Sequence, residues 1–398
     1  MAANAILSQS AVAARASVCA RELSLTDFRS YHRLRLALDG RSVVLTGDNG
    51  VGKTNLLEAI SFLAPGQGLR RARLGAVTRI DADAGWAVAA AVDLPQSPGV
   101  ATRLGTGLVA AEDGSLSDRR IVRIDGQQQT GTGRLAELLS VSWLTPEMDR
   151  LFLEGASGRR RFLDRLVLGF DAGHGRRVNA YEKAMRDRSR LLRDRGRSAD
   201  PGWLDALEAA MAEHGVAVAA ARCEMLSRLA AILEQRGDVF PVPILALEGE
   251  LEQWLTDQRP AVEVEDAFCA LLAASRQRDM EAGRALAGPH RTDMLAWHKP
   301  TGMPAADCST GQQKAMLISI VLANARLLRT AGTPPLLLLD EVVAHLDAVR
   351  RAALFDEIEA LGAQAWLTGT DRQLFAGLGC RAQHFEVADG IISEVAAP

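Results

Sequence analysis

The eight residues GDNGVGKT, Gly47 to Thr54, constrain this chain more than any other stretch, because they fill every fixed position of a phosphate-binding loop. Val43, Val44 and Leu45 before them form a short apolar run suited to a buried strand, and Leu56, Leu57, Ile60 and Leu63 recur at helical spacing beyond them. Strand, glycine loop and helix in that order predict a P-loop α/β core. Gly47, Gly50 and Gly52 let the backbone curl until successive N–H groups face inward, where the next helix also presents its positive end. The predicted nucleotide-binding segment is therefore Gly47, Asp48, Asn49, Gly50, Val51, Gly52, Lys53, Thr54 and the adjoining Asn55. Lys53 is expected to reach the β and γ phosphates of ATP as a catalytic cation, and Thr54 to hold Mg²⁺.

A phosphate loop needs a second half. Leu336 to Leu339 form a four-leucine strand that ends in Asp340 and Glu341. Two carboxylates thus emerge at the C-terminal end of a buried parallel strand, where open α/β sheets bind their ligands. Asp340 is expected to support the metal through its water shell, and Glu341 to polarise the water that attacks the γ phosphate.

Upstream of that strand, Cys308 to Gln312 reads CSTGQ and opens a long apolar segment, Ala315 to Leu328. By residue type alone it is a simple helix N-cap or an anion-binding helix start. Its spacing before LLLLDE resembles the signature motif of ABC-type ATPases, in which this element of one subunit completes the nucleotide site of the other. That resemblance implies nucleotide contacts by Ser309, Gly311 and Gln312, and a D-loop at Ala344 to Asp347 that puts Asp347 at a dimer interface.

LSLTDFRSY, TNLLEAISFLAPGQGLRRA, LTPEMDRLFLEGASGRRRFLD, YEKAMRDRSRLL, GPHRTD, STGQQK and LLLLDEVVAHLD follow one another from about Leu23 onward. Together they resemble the RecF family of recombination and repair ATPases, small relatives of the SMC-type ATPases. The resemblance implies an ABC-type, SMC-like P-loop ATPase head with a mixed sheet and a mostly helical second lobe. It further implies a weak DNA-linked ATPase that forms an ATP-dependent homodimer on gapped or junction DNA, single- and double-stranded. RecR and RecO are the implied partners and RecA the indirect one, in a cytoplasmic, nucleoid-associated setting. Arg29 in FRSY is either a phosphate contact in such a head or a surface charge.

One departure bears on the competing reading, a nucleotide-binding subunit of a transporter. Such subunits carry a switch histidine after the strand that follows the D-loop, and the corresponding stretch AQAWLTGTDRQ, Ala363 to Gln373, has none. Thr368 or Thr370 stands there instead, and a hydroxyl senses a γ phosphate more weakly than an imidazole, so slow hydrolysis is expected. The glutamine that usually links the metal to the second lobe is not assignable either, since Thr145-Pro146-Glu147 occupies its place.

A net charge of −3 does not announce a nucleic-acid binder, so charge distribution matters more than the total. Between Gly158 and Arg197 there are thirteen Lys or Arg against five acids, which makes Arg159, Arg160 and Arg161 the candidate DNA face. A solvated helical surface explains the same run, because Phe162, Leu163, Leu166 and Val167 keep helical spacing and leave the arginines outward.

Residues 21–156 and 282–398 are expected to form the ATPase lobe and residues 157–281 the helical lobe, with RGRSADPGW as the break between antiparallel helices. Residues 1–20, rich in alanine and serine, read as a flexible or weakly helical extension in preference to a signal peptide. Five scattered cysteines fit reduced thiols, and no apolar run reaches membrane-spanning length.

Overall fold

A computed structural model of the chain describes residues 18–82, 85–109, 119–235, 239–332, 334–388 and 390–398. The predicted N-terminal extension, apart from its last three residues, lies outside them, as does Asp113-Gly114, a dipeptide that by residue type marks a hairpin-like turn. The chain forms two compact units, Met1–Met148 with Val321–Pro398, and Asp149–Ile320.

The first unit is built on two six-stranded sheets. One has β1 (Cys19–Phe28), β2 (Tyr31–Ala37), β4 (Gly85–Asp93), β5 (Thr102–Val109), β6 (Ile121–Ile124) and β7 (Gln127–Gln129), in the order β2-β1-β4-β5-β6-β7, all antiparallel. The other has β3 (Ser42–Thr46), β8 (Val141–Leu144), β12 (Leu336–Leu339), β13 (Ala365–Gly369), β14 (Ala382–Ala388) and β15 (Ile391–Val395), in the order β15-β14-β3-β13-β12-β8. Its inner pairings are parallel and only β14–β15 is antiparallel, so the sheet is mixed. Every residue of β3, β12 and β13 is buried, as continuous apolar runs require when both faces of a sheet are covered. The antiparallel sheet instead alternates: Leu23, Leu25, Val88, Val92, Leu104 and Val122 are at most 1% exposed, and their neighbours along each strand turn outward.

Between β3 and β4 lies α1 (Lys53–Ser61), with Leu56, Leu57 and Ile60 buried as the helical spacing predicts, and between β7 and β8 lies the short α2 (Gly133–Leu138). Phe28, Phe62 and Trp86 pack edge-on and tilted with centroids 4.9–5.9 Å apart, joining the antiparallel sheet to the end of α1. Beside them Arg120 is buried with no acid partner among the described residues. It donates to the carbonyls of Phe62, Ala64 (3.2 Å) and Gly66 (2.8 Å), just past the helix C-terminus, where backbone oxygens and the dipole supply negative charge. Burial lowers its pKa to about 10.

In the second unit α3 (Ala156–Phe170), α4 (His174–Arg195), α5 (Pro201–Glu234), α6 (Glu250–Thr256) and α7 (Ala261–Ala282) accompany β9 (Pro243–Glu248), β10 (Asp293–His298) and β11 (Met303–Pro304). The break between α4 and α5 falls at RGRSADPGW: Asp200 caps α5 by accepting from Trp203 N at 3.2 Å, and Pro201 occupies its first turn. The unit is larger than the helical lobe 157–281 expected from sequence. Antiparallel pairing of β9 with β10, from His298↔Pro243 to Asp293↔Glu248, ties the GPHRTD region to residues 243–248. The early part of α8 (Thr310–Thr330), whose apolar stretch is buried, belongs here too. The helix α9 (Ala348–Leu361) returns to the first unit.

The arginine-rich run does not make one outward face. Arg188 is 0% exposed and donates to Glu208 (2.8 Å), Asp279 (2.7 Å) and the Leu272 carbonyl (2.7 Å). Asp164, on α3, is held by His174 (2.9 Å) and by both forks of Arg222 (2.8 Å). Burial alone would raise its carboxyl, but these hydrogen bonds and charges outweigh it and leave the pKa at about 2. A carboxyl depressed from 3.8 to about 2 stabilises the fold fully above pH 5 and loses that contribution as pH falls through its folded value. The contribution is on the order of 2 kcal/mol. Denaturant titrations should therefore show Asp164→Asn less stable than wild type at pH 7, with the gap closing between pH 5 and 2. A gap independent of pH would disprove the assignment.

Candidate nucleotide site and nucleic-acid face

The phosphate loop connects β3 to α1 in the first unit. Gly47, Gly50 and Gly52 have φ of 145°, 85° and 110°, in the left-handed region that glycine tolerates. A side chain at Gly47 would also meet the Val387 carbonyl at 2.2 Å, and one at Gly52 would meet Ser30 Oγ at 2.8 Å. Gly52 is the N-cap of α1, and no side chain caps it. The first-turn amides and the helix dipole therefore face the concave side of the loop, a site suited to anionic oxygens. Lys53 is buried, and its Nζ donates to the carbonyls of Gly47 and Asp48, both at 2.7 Å. Burial lowers its pKa, opposed by the charges of Glu341, Asp340 and Asp48.

Across the sheet, β12 carries Asp340 to the same place. Thr54 Oγ1 donates to both Asp340 oxygens at 3.0 Å, although 286 positions separate the two residues. Thr368, at the end of neighbouring β13, donates to Asp340 Oδ1 at 2.7 Å and accepts from Glu341 N at 3.0 Å. Asp340 and Thr368 are 3% and 0% exposed. Glu341 has φ 52°, left-handed geometry that is uncommon for a side-chain-bearing residue and costs about 1–2 kcal/mol. The Thr368 hydroxyl helps hold that turn, which makes Thr368 a positioning residue for both carboxylates. Sequence left it as one of two candidates for a γ-phosphate sensor, because nothing local distinguishes Thr368 from Thr370.

A hydroxyl and a carboxylate 3.0 Å apart beside a phosphate loop fit Mg²⁺, which keeps several waters and takes its remaining ligands from phosphate. Among the described residues no group of three or more His, Cys, Asp or Glu can hold a metal. Bound there, the ion would neutralise charge on the phosphate oxygens.

Around the loop, Tyr31 donates to the Gly52 carbonyl at 3.1 Å, and Asn55 joins Ser30 (3.0 Å) to Arg70 (2.8 Å). Sequence reading left Tyr31 unassigned and passed over Ser30. Arg29 is not a free surface charge: it makes a bidentate ion pair with fully buried Glu58, at 2.9 and 2.8 Å, and bonds the Ala76 carbonyl. The physical reason is that a buried carboxylate on α1 needs a cation, and Arg29 is next to it.

The signature segment lies in the second unit. Ser309 and Gln312 form a reciprocal capping box at the start of α8: Gln312 Oε1 accepts from Ser309 N and Oγ at 3.0 Å, and Gln312 N donates to Ser309 Oγ at 3.3 Å. Ser309 and Gly311 are exposed. Just inside, buried Lys314 pairs with Asp149 at 3.3 Å. In the first unit Asp347 caps α9 by accepting from Arg350 N at 2.8 Å, with its side chain 58% exposed.

The candidate DNA-binding arginines differ from one another. Arg159 makes a bidentate ion pair with Asp293, both bonds 2.7 Å, and Arg160 donates to the Thr292 carbonyl at 2.7 Å. Arg161 alone of the three is exposed. Arg159 and Arg160 thus serve to fasten α3 to the start of β10, a partnership up to 134 positions long that a local charge count cannot show.

Three comparisons bear on this architecture. The RecF/RecN/SMC N terminal domain family matches residues 19–389. Proteins named DNA replication and repair protein RecF are 51% identical in Rhizobium leguminosarum bv. trifolii, over 94% of this chain and 98% of the relative, and 51% identical in Agrobacterium fabrum, over 93% and 97%. A solved structure of the recombination mediator protein RecF-ATP in the RecFOR pathway shares the fold at a TM-score of 0.79 and 21% identity, covering 96% of this chain and 99% of the other. An Smc head domain from Pyrococcus furiosus shares it more distantly, at a TM-score of 0.51 and 14% identity over 95% and 96%. The phosphate loop, the Asp340–Glu341 pair and half-identity along nearly the whole length lead to one conclusion: this chain belongs to the RecF family, within the wider group of SMC-like ATPase heads.

Proposed function

We propose that the chain is an ATP-dependent DNA-binding protein of recombinational repair. Two copies close on ATP and Mg²⁺, each lending Ser309, Gly311, Gln312 and Asp347 to the phosphate loop of the other, and the closed dimer holds gapped or junction DNA, single- and double-stranded. Hydrolysis through Glu341 reopens it. In this role the protein assists RecA loading together with RecO and RecR, on the nucleoid in the cytoplasm. The observation that carries the reading is the Thr54–Asp340–Thr368 network, in which every bond is 3.0 Å or shorter. It joins the two halves of a nucleoside triphosphate site that the loop glycines prepare. Slow turnover follows from the same network, since the Thr368 hydroxyl that replaces a switch imidazole is already committed to Asp340 and to the Glu341 amide.

Light scattering with and without ATP, alongside affinity for gapped duplex DNA, tests the proposal. A nucleotide-dependent doubling of mass with tighter DNA binding is expected, and a monomer indifferent to ATP rules it out. For the DNA face, Arg161→Ala is the informative single change, because replacing Arg159 or Arg160 also removes internal contacts. One lost phosphate contact should lower the slope of log affinity against log salt by about 0.9. An unchanged slope would remove Arg161 from the face.

A further inference from the structure

The outward face of the antiparallel sheet carries charge that the nucleotide site does not use. Its register aligns one row across six strands: Arg35, Ser24, Ala89, Gly105, Arg123 and Gln128. Arg33 adds a second guanidinium beside Arg35, two positions along β2 and hence about 6.8 Å away on the same face. Arg103 adds one beside Arg123, on β5. Among the described residues two acids lie beside them: Glu22, in the neighbouring row, pairs with Arg35 at 2.8 Å, and Asp125 accepts from the Arg103 backbone N at 2.8 Å. Arg33, Arg103 and Arg123 form no salt bridge among the described residues.

Between these arginines the floor is low. Ser24, Ala89, Ala91 and Gly105 line a cavity of about 380 Å³ together with Arg35, Arg103 and Arg123. Alanine and glycine are poor strand formers on an exposed face. Nothing inside the protein demands Gly105: its φ is not positive, and a Cβ there would find its nearest neighbours, Arg123 Cβ and the Arg123 carbonyl, at 3.9 Å. A strand glycine free of internal demand marks a place where another molecule approaches closely. From Arg35 to Arg123 is four inter-strand steps, about 19 Å, roughly the breadth of a double helix.

We infer that this trough is a docking surface for the phosphate backbones of double-stranded DNA, with Arg33 and Arg35 on one rim and Arg103 and Arg123 on the other. The inference rests on the DNA-binding reading above and assigns it a surface in the first unit, separate from Arg161. Guanidinium forks match phosphate oxygens, and a floor without amides or ring faces reads no bases, so the contact is independent of sequence.

The test is fluorescence anisotropy of the full chain with a labelled duplex of arbitrary sequence, over a range of salt, with and without ATP. Arg35→Ala/Arg123→Ala should weaken binding at least tenfold and lower the salt slope by about 2, one unit for each contact. Gly105→Glu, which fills and charges the floor where there is open space, should weaken binding several-fold with an unchanged thermal midpoint. Arg134→Ala, an exposed arginine of the same unit, should change neither. Binding of a fluorescent ATP analogue should be the same in all four proteins, which separates the trough from the nucleotide site. Wild-type affinity and slope in both trough variants would overturn the inference while leaving DNA binding in place. A wild-type protein that binds no duplex under any condition would instead overturn the DNA-binding reading beneath it.

Discussion

Glu341→Gln is expected to lower ATP turnover by roughly 10²–10⁴-fold, the usual range for losing a positioned general base, while nucleotide still binds. The carboxylate emerges from β12 beside Asp340 on a left-handed turn whose amide is held by Thr368 at 3.0 Å. Glutamine keeps the size and the backbone, so the turn, the Asp340–Thr54 contact and the loop should persist. Only the capacity to polarise the attacking water is lost. On the proposed mechanism the ATP-bound dimer then accumulates, visible as a stable doubled mass in light scattering and as slowed release of DNA. Turnover within twofold of wild type would show that Glu341 is not the base. Reduced turnover without any trapped dimer would separate hydrolysis from head closure and defeat the clamp mechanism.

Arg188→Met should destabilise the second unit by about 3–5 kcal/mol, because it leaves buried Asp279 without a cation among the described residues and takes one of two from buried Glu208. For a unit of this size that corresponds to a fall in thermal midpoint of about 10 °C. Arg276 remains to hold Glu208 but not Asp279, whose other oxygen also accepts from Leu286 N at 3.0 Å. Adding Glu208→Gln and Asp279→Asn to the methionine variant should recover much of the loss, since the cost lies in unpaired charge more than in the pair itself. A single variant as stable as wild type, followed by calorimetry, would show that water reaches this network.

Some of this was legible from residues alone because the physics is local. A phosphate loop depends on the φ of glycines within eight positions, and a four-leucine strand that ends in Asp-Glu needs only burial on both faces to present its carboxylates. The α4–α5 break follows from Gly196 and Pro201, and the α8 start from a serine and a glutamine three residues apart. The arginines illustrate the opposite case. A charge count over forty residues treats Arg159, Arg161 and Arg188 alike, yet one is clamped by Asp293, one is exposed and one is at the centre of a buried network. The partner of Arg29 was hidden for the same reason, Glu58 being identifiable only once α1 is packed. The unit boundary moved because β9 finds its partner in β10, across the whole of α7.

By itself the sequence determined the phosphate loop, the acidic strand end, the helical character of the middle of the chain and the family, all of which rest on short-range order or on motif succession. Only the tertiary structure decided which charges are satisfied, that Thr368 unites Asp340 with the Glu341 turn, and that the outward face of the antiparallel sheet gathers four arginines around a bare floor. The physical reason is that a charge or hydroxyl takes its meaning from its partner. Around Asp340, Thr368 and the Glu341 turn those partners lie 27 to 286 positions away, brought within 3.0 Å by sheet register and core packing.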